Sequence, residues 1–286
     1  MHKSCNPNNL IPKEDYMRYK LAAFADEASS NIDEQIKAMK ENGIEYLEIR
    51  GVDGENIADI SAGKAREVKA KLDANGLFVW SLGSPFGKIG ILDDFEKHLD
   101  SFKRSLDICE ILGAKHIRIF SFYGAEGRYD AVANRLEKFV DAAKGSGIIL
   151  CHENEKGIYG DIASRCLEIQ QNFPEIKAVF DPANFIQCGQ DTKEAWDLLS
   201  PFIEYMHIKD ALPDGSVVPA GKGVGNLPYL LSQYKGEVLT IEPHLSVFEG
   251  LANLEATSKT KLGKYSYPDS KTAFKAAADA LKGLIL

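Results

Sequence analysis

Glu153, Asp181, His207 and Glu242 each close a short apolar run of β-forming residues, in the segments LCHEN, AVFDPAN, YMHIKD and LTIEP. Three carboxylates and one imidazole are a hard-to-borderline donor set, suited to Mn²⁺, Mg²⁺, Co²⁺ or Zn²⁺ rather than to a soft metal. Gaps of 28, 26 and 35 positions separate them, close to the roughly 31 residues of one strand-plus-helix unit in an eight-fold βα barrel. The loops after the strands form the active face of that fold, so side chains at successive strand ends converge on one mouth. Taken singly, each residue is explained as well by an ion pair, such as a glutamate with Lys209, or by a core histidine. Four at matching strand ends, after runs where an unpaired charge is costly to bury, point instead to one divalent metal ion.

Such an ion, holding a substrate carbonyl and its neighbouring hydroxyl, stabilises the enediolate formed when an adjacent C–H proton is removed. Glu153 and Glu242, on the fifth and eighth strands, are expected to face each other across the mouth with a substrate carbon between them, as acid and base. Lys209 follows His207 by two, so strand alternation points it inward, onto substrate or a carboxylate. Arg50 ends the second strand in EIR and either holds a hydroxyl or acidic group or pairs with Glu48 or Glu27. Asn184 lies three residues beyond Asp181, where an amide can hydrogen-bond a hydroxyl but cannot titrate. His244, in EPH past the eighth strand, faces either substrate or the surface. His152 should face the helix layer as a structural histidine. The glycine-rich GKGVG over 221–225 could turn N–H groups toward an anionic or hydroxylated ligand, although a tight turn explains it equally. Trp80, Phe86, Phe122 and Tyr123 could pack on a sugar ring or simply fill the barrel.

The elements that must position these residues alternate from about Lys20 onward. Runs rich in β-branched and aromatic residues give eight expected strands, over 20–25, 46–50, 78–82, 116–121, 148–153, 178–181, 205–209 and 238–242. Between them lie apolar helix faces: Ile32, Ile36 and Met39; Phe102, Leu106 and Cys109; Val132, Leu136 and Phe139. Glycines at 43, 76, 113 and 147 stand where helices should end. The expectation is an α/β fold, a single-domain (β/α)8 TIM barrel over 19–286 preceded by an N-terminal extension over 1–18. The stretch 245–269 is too long for a simple βα connection and suits a lid or a subunit contact.

Composition narrows the function. The chain has 286 residues, 44% apolar and 27% charged, ordinary for a globular protein. Its net charge of −8 argues against a nucleic-acid partner, which needs clustered positive charge. No run approaches the ~18 apolar residues of a membrane span, and the polar start lacks the apolar core of a secretory signal. A cytoplasmic location is therefore expected. Five cysteines without CxxC spacing favour buried thiols over disulfides or a cysteine zinc site.

The segments FADEASSNIDEQIKAMKENGIEYLEIR, HENEKGIYGD, FDPANF, HIKDA, GKGVGN and IEP resemble the xylose-isomerase-like TIM-barrel superfamily. That group includes ketose 3-epimerases, inosose isomerases and dehydratases, hydroxypyruvate isomerase and the endonuclease IV enzymes. The resemblance, over about 20–286, implies a divalent ion bound by Glu153, Asp181, His207 and Glu242, with both glutamates doubling as acid/base groups. It also implies a small sugar or polyol ketone as substrate and a homo-oligomer. Two departures stand out. The epimerases usually carry Asp-x-x-His on the sixth strand, where this chain has Asp181 and Asn184, and an arginine shortly after the seventh-strand histidine, where it has Lys209 and Asp210. The reading is a metal-dependent isomerase or epimerase. The alternatives are an inosose-dehydratase-like lyase and a non-catalytic sugar-binding barrel. An endonuclease is disfavoured by the acidic charge and by only six histidines.

Overall fold

Eight parallel strands close into a barrel in the computed structural model, which describes residues 18–246, 264–265 and 267–286. They are β1 (Lys20–Ala23), β2 (Tyr46–Ile49), β3 (Phe78–Leu82), β4 (His116–Ile119), β5 (Ile149–Glu153), β6 (Ile176–Phe180), β7 (Ile203–Ile208) and β8 (Val238–Ile241). Each pairs with its sequence neighbours, and β8 closes the ring on β1 in the register Lys20 to Val238 through Ala23 to Ile241. A closed sheet leaves no exposed edge to aggregate.

The helices cover the outside: α1 (Ile32–Glu41), α2 (Ala62–Ala74), α3 (Glu96–Leu112), α4 (Tyr129–Ala143), α5 (Ala163–Asn172), α6 (Pro182–Gln187), α7 (Thr192–Leu199), α8 (Leu227–Gln233) and α9 (Ser270–Ile285). Sequence signals account for their ends. Asn31 caps α1 by accepting from the backbone N–H groups of Asp33 and Glu34, and Asp269 caps α9 through Thr272 N–H. Gly113 terminates α3 with φ at 75°, a conformation that penalises any Cβ. Ile32, Ile36 and Met39, like Val132, Leu136 and Phe139, are buried, and the main apolar core lies between strands and helices.

Inside the ring, the alternation of strand side chains separates two layers. Ala22, Cys151, Val179, Tyr205 and Val238 form a small apolar cluster with Tyr46, Trp80 and Ile149 packed against it. One step toward the C-terminal ends the interior turns polar: Arg50, Glu153, Asp181, His207, Lys209 and Glu242 are all buried. The fold thus places its charge at the expected mouth.

β6 and β7 each begin two residues before the expected start. Lys177 and Glu204 interrupt the apolar run but still lie in the strands, Lys177 exposed and Glu204 half-buried against His116 Nε2 at 3.0 Å. Apart from Arg18, which donates to the Tyr234 carbonyl at 2.6 Å, the expected extension lies outside the described residues, as does most of 245–269. Cys109, Cys151 and Cys166 are buried free thiols and Cys188 is half-buried and free. Among the described residues, no helix is long and apolar enough to cross a membrane.

Candidate metal centre

Glu153 is the last residue of β5, His207 the last but one of β7, and Asp181 and Glu242 follow β6 and β8 directly. These ends bring one donor atom from each residue within 4.8 Å of the others. His207 Nδ1 stands 3.1 Å from Glu153 Oε1 and 3.5 Å from Glu242 Oε2. Asp181 serves two purposes: its Oδ1 caps α6 by accepting from Asn184 N–H at 2.9 Å, which leaves Oδ2 for the cluster. Lys209 Nζ lies 2.8 Å from both Asp181 Oδ2 and Glu242 Oε2.

Two buried oxygens test whether this donor set suits an ion. Glu153 Oε2 and Asp181 Oδ2 receive no hydrogen bond, although Arg118 Nη1 stands 3.0 Å from the first and Lys209 Nζ 2.8 Å from the second. Buried carboxylate oxygens normally accept well-formed hydrogen bonds. Oxygens that lack them, beside an imidazole and a third carboxylate, match the coordination needs of a hard-to-borderline divalent ion.

The electrostatics are those of packed charges that hold one another in place. Burial, the largest influence on each group, disfavours charge, yet His207 and Arg118 hold Glu153 down to about 2. Lys209, His244 and His207 likewise hold Glu242 well below its usual range against burial. Burial prevails at Asp181, pushed up to about 7 despite Lys209, and at Glu27, pushed up to about 8 despite Arg50. His207 is raised well above the ordinary histidine value because Glu153 and Glu48 outweigh its desolvation.

The other candidates fall around this cluster, already paired within the protein. Arg50 pairs with Asp26 at 2.8 Å and Glu27 at 3.1 Å, and stands 3.5 Å from Glu242. Of its expected partners, Glu27 is present and Glu48 is not. Asn184 donates from Nδ2 to the Asn154 carbonyl at 2.9 Å and to Glu153 Oε1 at 3.2 Å, so it positions the glutamate from behind. His244 is inside, not on the surface: its Nε2 stands 3.5 Å from Glu27 Oε1 and 3.6 Å from Glu242 Oε1. His152 meets Ser121 Oγ at 2.9 Å and has a structural role.

Of the two aromatic alternatives, filling the interior describes Trp80, Phe86 and Phe122. Trp80 stacks on His116 at 4.1 Å in the lower layer, and Phe86 and Phe122 pack on Phe139 of α4, away from the mouth. Phe24 is a ring that does border the site. It lies under the Arg50 guanidinium at 4.4 Å and meets His207 edge-on at 5.2 Å.

The glycine-rich loop is likewise explained from within. Asp210 accepts from the N–H groups of Gly221, Gly223 and Gly225 at 2.9–3.0 Å, and from its neighbour Ala211. The cradle is real, but its occupant is the protein's own side chain. A Cβ at Gly223 would meet the Ala211 carbonyl at 2.2 Å. Replacing Asp210 by alanine strands four backbone donors, two of them, on Ala211 and Gly225, buried, and we expect a stability loss of about 3 kcal/mol. Urea unfolding checks this; an unchanged midpoint would show that the cradle contributes nothing.

Sequence reasoning missed Arg118 and Asp26, and it named Glu48 and Glu27 only as partners for Arg50. Glu48 and Arg118 carried a signal for the site itself, since Glu48 precedes Arg50 by two in YLEIR and Arg118 sits at the inward phase of HIRI. Asp26, in the loop after β1, had none short of knowing which way that loop turns.

A family model described as xylose isomerase-like TIM barrel matches residues 36–245. No curated protein matches the sequence. Among solved structures, the probable 3-DHS dehydratase AsbF of Bacillus anthracis is similar at 16% identity, with 93% of this chain and 99% of that chain covered and a TM-score of 0.70. The IOLI protein, solved with a zinc atom, aligns at 16% identity over 93% and 98% of the two chains, with a TM-score of 0.69. An L-ribulose 3-epimerase aligns at 16% identity over 93% and 94%, also at 0.69. Likeness at this identity establishes a shared barrel and leaves the reaction open.

Proposed function

Because the chain belongs to the xylose isomerase-like TIM-barrel family, we propose that it is a divalent-metal-dependent isomerase or epimerase acting on a sugar or polyol ketone. Glu153, Asp181, His207 and Glu242 would hold the ion. The observation that carries this reading is the convergence of four buried donors within 4.8 Å, two of them offering oxygens without a hydrogen bond. When bound, the ion supplies Lewis acidity to the substrate carbonyl and stabilises the enediolate charge.

The chain's own residues do the rest. Glu153 or Glu242 takes the C–H proton beside the carbonyl and returns it, to the other face of that carbon or to its neighbour. The cations beside them favour the ionised form that a base requires: Arg118 stands at Glu153 and Lys209 at Glu242. Asn184 cannot titrate and instead fixes the Glu153 carboxylate. The tight packing excludes bulk water, which strengthens each of these interactions.

The test is a screen of free ketoses, inososes and their phosphates in deuterated solvent with added Mn²⁺. We expect solvent deuterium in recovered ketose or its isomer, with no dehydrated product. Accumulation of a dehydrated product would assign water elimination, which begins with the same proton abstraction and loses a β-hydroxyl. Binding without exchange on any substrate would leave a non-catalytic sugar-binding barrel.

A further inference from the structure

We infer that Glu48 is a positioning residue that fixes which nitrogen of His207 faces the metal site, with Tyr205 holding Glu48 in turn. This rests on the metal reading above and adds a carboxylate from β2, a strand that supplies none of the four ligands. Glu48, Tyr205 and His207 are each 0% exposed. Glu48 Oε2 lies 3.0 Å from His207 Nε2, while its Oε1 accepts from Tyr205 Oη at 2.9 Å. Ser81 Oγ stands 3.3 Å from the same phenol oxygen. A chain of contacts thus runs from β3 through β7 and β2 to the imidazole.

The ring's other nitrogen belongs to the cluster, with Nδ1 3.1 Å from Glu153 and 3.5 Å from Glu242. A neutral imidazole carries one donor and one acceptor, and the partner of one nitrogen decides the role of the other. A carboxylate at Nε2 keeps the proton there and leaves the lone pair of Nδ1 for an ion held among the ligands, as in carboxylate–histidine–metal arrangements. Burying a carboxylate inside the barrel is costly unless each oxygen is engaged, and here both are. The hydroxyl of Tyr205 secures the orientation, because it claims one oxygen and leaves the second for histidine.

The experiment uses the full chain labelled with ¹⁵N-histidine and loaded with Zn²⁺. Long-range ¹H–¹⁵N spectra should show one histidine coordinated through Nδ1 and protonated at Nε2. In Glu48→Gln the amide can present N–H to Nε2 and favour the opposite tautomer, so Co²⁺ affinity should fall by about 10- to 100-fold. Tyr205→Phe should lower it by less, and Asp181→Asn, which alters a ligand, serves as the control. Coordination through Nε2 in the wild-type chain would overturn the inference, even if Glu48→Gln failed to fold. So would unchanged Co²⁺ affinity in Glu48→Gln beside a weakened Asp181→Asn. A wild-type chain that binds no Co²⁺ would overturn the metal reading itself, and this inference with it.

Discussion

Glutamine in place of Glu153 or of Glu242 is expected to lower turnover by about 10³-fold or more while the barrel stays folded. The substitution keeps volume and one carbonyl oxygen, so Asn184 can still donate to position 153 and Lys209 to position 242. It removes the ability to carry a proton and one negative charge facing the ion. Loss of a proton carrier alone accounts for about 10²- to 10⁴-fold, and weaker binding of the ion adds to it. The check is solvent-deuterium exchange on whichever ketose the screen identifies, at saturating Mn²⁺, with circular dichroism as the folding control. Unchanged exchange in both variants would remove the acid/base assignment. A loss in only one would identify that glutamate as the sole base.

The two glutamates differ in surroundings, which gives the comparison meaning. Glu153 is held by Arg118 and His207, whereas Glu242 contacts Lys209, His207, His244 and Arg50. Neutralising position 242 therefore leaves more positive charge without its partner. We expect Glu242→Gln to disturb the neighbouring ion pairs more, and Glu153→Gln to isolate the proton-transfer step more cleanly.

The barrel was legible because its signals are local and repeated. Apolar β-forming runs, amphipathic helix faces and terminal glycines recur with one period, and each strand pairs with its sequence neighbour. The four donors were legible for the same reason, since a strand end is a one-dimensional landmark. What surrounds them was harder to read. GKGVG stayed open between a ligand cradle and a tight turn, because no spacing rule reveals that the Asp210 side chain, eleven residues upstream, will fill it. Glu27 was named as a partner for Arg50, but Asp26 reaches the same guanidinium through a turn whose direction depends on tertiary packing. Phe24 borders the site although it was not among the aromatics considered, since a strand's exact end decides whether a ring points into the mouth or into the helix layer.

His207→Ala is expected to weaken divalent-ion binding by more than about 100-fold, a larger loss than altering a neighbour that only orients a ligand. His207 is the single nitrogen donor, 0% exposed, and its Nδ1 lies beside both glutamates. Alanine also removes the group between Glu48, Glu153 and Glu242, so three buried carboxyls lose a shared partner. Breaking a buried charge pair from one side costs about 3–5 kcal/mol, and we expect the metal-free variant to unfold at lower urea by that order. The two effects separate by measurement: isothermal titration with Co²⁺ reads the affinity, and urea unfolding with a chelator present reads the stability. Full ion occupancy in His207→Ala would sink its assignment as a ligand. Weakened binding with an unchanged unfolding midpoint would instead show that Lys209, 2.8 Å from Asp181 and Glu242, together with Arg118, 3.0 Å from Glu153, balances the carboxyls without the imidazole. That outcome would make His207 a residue kept for the ion alone.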